Sequence, residues 1–330
     1  MARRRFTGIR SLFATLACLL LAVVVLFQKS TTREKGEGAL NYDLMLAKCG
    51  ELCEIGAGVF VESTFFPQRT VPVDCKAIFS DEVFSLNGHG QSSAPQNIPQ
   101  QFAADYTLNY QIPVKEYYFN QQYHSSDAAE PVWSRELIDD WVSLATNDQL
   151  VGNYGITETN HLRSALKSAS GIRGGRVLII GSEVPWVEAT VLSLGAKSLI
   201  TLEYGKILSQ HPAVQTMTPA EFKQSFEAGT IGLFDAIVTF SSVEHSGLGR
   251  YGDALNPWGD VLEIARAHCV CRPGGSLTIA VMTKDGADAL EFNAHRVYGD
   301  LRWPYLASNW EQTYREPDGE QRVHVFTKRD

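Results

Sequence analysis

The sequence has no C-x2-C pair and no histidine spacing of the zinc-site kind, so no metal centre is expected from it. It has no D-x-D motif, which leaves a metal-dependent glycosyltransferase unsupported. Internal repeats and low-complexity tracts are also missing. With 44% hydrophobic, 10% aromatic and 20% charged residues, and 27 Gly and 13 Pro among 330 residues, collagen, coiled coil and wholesale disorder are excluded. The length suits about two domains, or one large domain with an embellished N-terminus.

Positive charge is scarce outside the first 35 residues. That leader holds seven basic residues against one acid, Glu34, so of the total net charge of −8 the remainder of the chain carries −14. A body this acidic has no long-range field favouring nucleic acid, and no such partner is expected. Within the leader, Ser11 to Phe27 reads SLFATLACLLLAVVVLF, with only Ser11 and Thr15 polar. At about 1.5 Å per residue a helix of this length reaches about 25 Å, enough for a thin bilayer. Arginines precede it and fewer cations follow, which holds the N-terminus in the cytosol and sends the body across. The expectation is a type II single-pass anchor of the endoplasmic reticulum or Golgi, with residues 1–10 a cytosolic tail, 11–27 the span and 28–48 a polar stalk. A cleaved signal peptide is the competing reading, against which stand the length of the run and its end in Val24, Val25, Leu26 and Phe27.

Outside the span five cysteines remain: Cys49, Cys53, Cys75, Cys269 and Cys271. An odd number leaves at least one thiol unpaired within the chain. Cys49 and Cys53 stand one helical turn apart and, with Cys75, can offer a disulfide in an oxidising lumen; ordinary buried thiols are the alternative.

Residues 49–154 show little periodicity, apart from a helix expected at Trp133 to Leu144 with Ser134 as its cap. From Gly155 onward the chain is regular. A helix at 160–170 precedes the apolar run RVLII at 176–180; Pro185 opens a helix that Gly195 ends. Strands follow at 198–203, 214–217 and 234–240, helices at 219–229 and 260–270, then a turn RPGG and a strand at 276–282. Alternating units of this kind predict an α/β, Rossmann-like, doubly wound and mostly parallel sheet over residues 155–330. NWEQTYRE and QRVHVFTK flank Pro317, Asp318 and Gly319 and predict a closing antiparallel hairpin.

In such sheets ligands bind beyond the carboxyl ends of the strands. Those ends carry Gly181, Ser182 and Glu183; Glu203 and Tyr204; Ser241, Ser242, Glu244 and His245; and Met282 with Thr283. Glu203 lies 22 residues after Gly181, close to the spacing at which a carboxylate accepts hydrogen bonds from ribose hydroxyls. A strand-end glutamate that caps a helix or faces solvent is the bland alternative.

RVLIIG, LITLEYG, FDAIVTFSSVEH and CRPGGSLTIAV, in this order, resemble the successive motifs of class I S-adenosylmethionine-dependent methyltransferases. Within that fold, SSVEHSGLGRYGDALNPWGD looks closest to an uncharacterised family first catalogued in nematodes, domain of unknown function 268. The resemblance implies S-adenosylmethionine as cofactor, with Gly181 against its methionine part, Glu203 on its ribose, and Ser241 lining the pocket. Ser182, Glu183, Tyr204 and Ser242 complete the cofactor-binding set. The family's G-x-G loop is reduced to its first glycine, and Pro185 and Trp186 follow.

Glu244 and His245 stand where an acceptor meets the methyl donor, His245 as base and Glu244 orienting it. Capping and backbone bonding are their alternative roles. The loop that follows offers Arg250, Tyr251, Asp253 and Trp258 to a polar small-molecule or glycan acceptor, with Trp258 stacking or packing over the sheet edge. Asp260 reads as the cap of the next helix. The segment 295–310 adds aromatics that either cover the site or pack the last hairpin. The expected function is a membrane-anchored methyltransferase on a polar acceptor. The alternative is an inactive methyltransferase-like binding or scaffolding protein in which Trp186 fills the cofactor's space.

Overall fold

In the computed structural model the apolar run RVLII is the first strand of a seven-stranded sheet. The structure describes residues 42–80, 95–119, 130–251 and 253–329. The basic tail, the anchor at 11–27 and most of the stalk lie outside these residues. Among the described residues no helix is long and apolar enough to cross a membrane.

The chain opens with α1 (Tyr42–Cys49), the paired strands β1 (Val59–Val61) and β2 (Gln68–Thr70), α2 (Cys75–Ser80), α3 (Ala103–Tyr106) and β3 (Val114–Tyr117). β4 (Val132–Trp133), α4 (Arg135–Thr146) and α5 (Gly155–Ser168) lead into the alternating part. There β5 (Arg176–Ile180), α6 (Trp186–Ser193), β6 (Ser198–Leu202), β7 (Leu208–Ser209), β8 (Val214–Met217), α7 (Pro219–Glu227), β9 (Phe234–Phe240), α8 (Gly259–Val270) and β10 (Cys271–Met282) follow one another. β11 (Ala289–Asn293), β12 (His295–Val297), α9 (Trp303–Leu306), β13 (Trp310–Arg315) and β14 (Gln321–Lys328) end the chain.

The sheet runs β13-β14-β10-β9-β5-β6-β8, with β5, β6, β8, β9 and β10 parallel and β14 antiparallel to both neighbours. From β8 to β10 this is the 3-2-1-4-5 order of a doubly wound sheet, and the expected hairpin continues it. The central strands β5, β6 and β9 are largely apolar and buried because helices cover both faces. Val177 and Ile179 pack with Ile138, Leu162 and Val187, while Leu178 and Ile180 pack with Phe222, Val261 and Ile264. Each such side chain contributes about 1.5–3 kcal/mol on burial. A one-residue slip would exchange the two faces, so the register is firmly specified.

Local chemistry sets the helix starts. The Ser134 hydroxyl accepts from the Leu137 amide at 3.1 Å and caps α4, as expected. Thr218 and Glu221 form a reciprocal capping box ahead of α7, with Pro219 in its first turn. Three expectations are corrected. Residues 42–48, taken as stalk, are helical, and Tyr42 and Met45 are buried. α5 starts at Gly155 instead of residue 160. RPGG, taken as a turn ahead of the strand, falls within β10 as a three-residue shift of register against β9, because Cys271 pairs with Phe234 while Ser276 pairs with Ala236.

The N-terminal elements pack against the same core. A disulfide joins Cys75 in α2 to Cys269 in α8, a second joins Cys49 to Cys53, and among the described residues Cys271 is the free, buried thiol. Arg69 is buried and donates to the carbonyls of Ala57 at 2.8 Å and Leu52 at 3.3 Å, and its guanidinium lies over the Tyr305 ring. β3 pairs in parallel with β11, which pairs with β12, in a separate three-stranded sheet. Contacts divide the chain after Ala39, and every described residue falls in the second unit.

Candidate functional site

β5 is flanked by β6 on one side and β9 on the other, so the strand order reverses between β5 and β9. Beyond the carboxyl ends of these strands lies a cavity of about 530 Å³, within the range of small-ligand sites. Gly181, Ser182, Glu183, Glu203, Tyr204, Ser241, Ser242, His245, Arg250 and Tyr251 all line it, as the sequence predicts.

Gly181 sits at φ +72°, and a Cβ there would overlap the Ser242 side chain. Both the backbone conformation and the close approach of the β9 loop therefore require glycine. The chain then turns so that the Ser182 amide donates to Glu203 Oε2 at 2.7 Å, while the Tyr204 amide donates to Oε1 at 2.8 Å. Burial pushes the Glu203 carboxyl up to about 7, against the pull of these two amides and that of Gly205. A carboxylate has about four acceptor positions, so capacity remains for a ligand.

Glu188, which the sequence did not single out, lies fully buried behind this turn. The Thr201 hydroxyl donates to its Oε1 at 2.7 Å. The Ser182 hydroxyl is 2.9 Å from Glu188 Oε2 and 3.0 Å from the Val184 carbonyl, but has only one proton to give. Burial raises the Glu188 carboxyl to about 7. In its neutral form it donates to Ser182, which leaves the serine proton for Val184.

At the end of β9, Ser241 adopts φ +47°, a strained conformation for a non-glycine residue. Its hydroxyl donates to Glu244 Oε1 at 2.9 Å, and burial lifts the Glu244 carboxyl to about 7. His245 Nδ1 lies 2.7 Å from the Ala294 carbonyl, which can only accept, so Nδ1 carries the proton and Nε2 is bare. The expected Glu244–His245 pair is a long contact without a hydrogen bond. His245 Nε2 is 3.9 Å from Glu244 Oε1, and the Ala294 carbonyl orients the ring instead. Burial lowers the His245 pKa to about 3, which makes it a weak base at neutral pH.

The loop after β9 is held from outside the sheet. Arg296 of β12 is buried and donates through Nη1 to the Ser246 carbonyl at 2.8 Å and to the Glu244 carbonyl at 3.4 Å. The Tyr106 hydroxyl donates to the Gly247 carbonyl at 2.5 Å. The Arg250 guanidinium lies over Phe119 at 4.5 Å and Tyr251 at 5.0 Å.

Two expected acceptor-site residues stand elsewhere. Asp253 accepts from the Gly247 amide at 2.7 Å and the Tyr251 amide at 3.3 Å, closing the loop rather than lining the cavity. Trp258 is wholly buried beside Tyr305 in the core, so the indole has no face for a ligand. Asp260 is no cap either, since α8 starts at Gly259 without a side-chain cap. It is fully buried and accepts from Arg302 at 2.6 and 2.9 Å and from the Tyr298 hydroxyl at 3.0 Å. Burial raises its pKa, but Arg296 and Arg302 outweigh that and hold it below the ordinary value. In the segment 295–310, Trp303 packs against Phe66, His324 and Phe326, under the hairpin.

Asn153 and Tyr154 line the cavity and were missed. Their signal was the polar and aromatic loop GNYG ahead of α5. Trp186 forms a wall: its ring stands edge-on to Phe240 at 4.8 Å, and Gly152 packs against the indole.

Among solved structures the chain resembles three methyltransferases at the level of the α/β sheet. The candidate methyltransferase yhhF of Escherichia coli is 11% identical over 54% of this chain and 88% of its own, with a TM-score of 0.36. The N-methyltransferase NodS of Bradyrhizobium japonicum is 14% identical over 53% and 95%, with a TM-score of 0.31. A T. thermophilus 16S rRNA methyltransferase (RsmC), solved with AdoMet and guanosine, is 17% identical over 54% and 44%, with a TM-score of 0.31. None of the three fixes a ligand or a reaction for this chain. A comparison with curated proteins gives no match. Residues 174–329, from the turn before β5 to the end of β14, match the family model described as Caenorhabditis protein of unknown function, DUF268.

Proposed function

We propose that the chain is an S-adenosylmethionine-dependent methyltransferase acting on a polar acceptor such as a glycan, anchored through residues 11–27 with its body in the endoplasmic reticulum or Golgi lumen. The observation that carries this reading is Glu203, a carboxylate with acceptor capacity to spare, lining a cavity of about 530 Å³ at the point where strand order reverses. The residues present fit the cofactor: a nucleoside diol offers two donors to Glu203, and Gly181 keeps the backbone of the first loop close to the site. An inactive binding protein is disfavoured because Trp186 is packed on Phe240 as a wall and the cavity beside it stays open.

S-adenosylmethionine, when bound, supplies an electrophilic methyl group. The protein's own contribution is chiefly positioning. Glu203 accepts from the hydroxyls, the strained Ser241 fixes the end of β9, and Ala294 holds His245 so that Nε2 can accept a hydrogen bond from an acceptor's hydroxyl. Since the Glu203 carboxylate is the better acceptor, affinity is expected to rise as pH rises through about 7. Calorimetric titration of the purified full-length chain with S-adenosylmethionine and S-adenosylhomocysteine tests the proposal. We expect Glu203→Gln to bind about tenfold more weakly and to lose the pH dependence. Absence of binding by the wild type at millimolar ligand would overturn the reading.

A further inference from the structure

The charged groups on the cavity wall are unequally distributed, and their arrangement bears on how a cofactor is read. Glu203 sits at the end of β6. Glu183 occupies the place where a G-x-G loop would have its second glycine, and its side chain is exposed at the cavity. Among the described lining residues Arg250 is the one Arg or Lys, and it lies over two aromatic rings, Phe119 and Tyr251. That setting restrains the guanidinium plane, and a restrained fork is suited to a carboxylate. Arg250 also donates through Nη1 to the Ala294 carbonyl at 3.3 Å, which holds the side chain at the rim of the cavity. Glu183, Tyr154 and Arg250 all line the same cavity, so the acid and the guanidinium face one ligand space.

An amino-acid nucleoside makes three polar demands: a diol, an ammonium and a carboxylate. In a glycine loop, bare backbone serves the amino-acid end. Here a side chain stands in that place, and an acid there would repel a carboxylate unless a cation lay opposite. Resting on the function proposed above, we infer that Glu183 and Arg250 form a side-chain receptor for the zwitterionic amino-acid end of the cofactor, Glu183 facing the ammonium and Arg250 the carboxylate. Arg250 thereby moves from the acceptor site, where the sequence placed it, to the cofactor site.

The test compares S-adenosylhomocysteine with 5′-methylthioadenosine, which keeps the nucleoside and the sulfur but lacks the amino acid. Both are titrated calorimetrically into the full-length wild type, Arg250→Gln and Glu183→Gln. We expect the wild type to prefer S-adenosylhomocysteine. Each substitution should weaken that ligand by about tenfold or more, as loss of a charged hydrogen bond does, and leave 5′-methylthioadenosine within about twofold. Unchanged binding of the smaller ligand also certifies that the variant is folded. Should Arg250→Gln melt early, Glu183→Gln applies the same comparison from the other side of the zwitterion. Equal effects on both ligands, or none on either, overturn the inference. A wild type that binds both ligands equally also overturns it while leaving the proposed cofactor standing, whereas a wild type that binds neither removes the proposed function itself.

Discussion

Replacing Asp260 by Asn separates two roles that differ several-fold in energy. A residue that merely capped α8 would lose about 1 kcal/mol on substitution. Asp260 instead compensates two guanidiniums, those of Arg302 and Arg296, at 2.6 and 3.5 Å, and all three side chains are at most 2% exposed. The cluster therefore carries one excess positive charge, and Asp260→Asn would raise it to two at nearly constant volume. Breaking a buried pair from one side destabilises by about 3–5 kcal/mol, because the remaining charge stays desolvated. With about 2 °C per kcal/mol for a chain of this size, the melting temperature should fall by about 6–10 °C. The assay is thermal unfolding of the full-length protein at pH 7 without reductant. Adding Arg302→Met should recover part of the loss, since the cluster returns to one excess charge. A shift of about 2 °C or less for Asp260→Asn would refute the counter-ion argument and restore the capping role.

Two further substitutions probe the site. Gly181→Ala meets both the positive φ and the Ser242 side chain, so it should destabilise by about 1–3 kcal/mol and weaken S-adenosylhomocysteine. Normal melting together with normal affinity would show that neither constraint operates. Glu188, raised to about 7 in the folded state, gives stability that is complete below its ordinary value near 4.5 and is lost as pH rises through 7. Urea titrations at pH 5 and pH 8 should therefore show Glu188→Gln gaining on the wild type by roughly 2–3 kcal/mol at the higher pH; a difference independent of pH would contradict the buried neutral carboxyl.

The central parallel strands were legible because RVLII and FDAIVTF are short apolar runs bounded by turn residues, and burial on both faces imposes that pattern locally. The three-stranded sheet was not. Its β3 pairs with β11 across some 175 residues, and Leu290 opposite Val114 leaves no trace in either segment alone. The same holds in the site. Glu203 could be found from its spacing to Gly181, whereas Asp260 looked like a cap because the arginine that claims it lies 42 residues later. Trp258 misled for a similar reason: an indole in a glycine-rich loop reads alike whether it faces a ligand or the core. His245 was correctly placed at the cavity, but its orienting partner is a backbone carbonyl, which no side-chain pattern announces.

The bond between Cys75 and Cys269 spans 194 residues, and it constrains the order of events during synthesis. At about 5–20 residues per second, the Cys75 thiol waits on the order of 10–40 s for its partner to emerge. During that interval Cys49 and Cys53 are the thiols nearest in sequence, and their own bond, only four residues apart, removes them as competitors. The short bond thus protects the long one from mispairing. The long bond, once formed, reports that the chain has been made through α8 and that the N-terminal layer has found its place on the sheet.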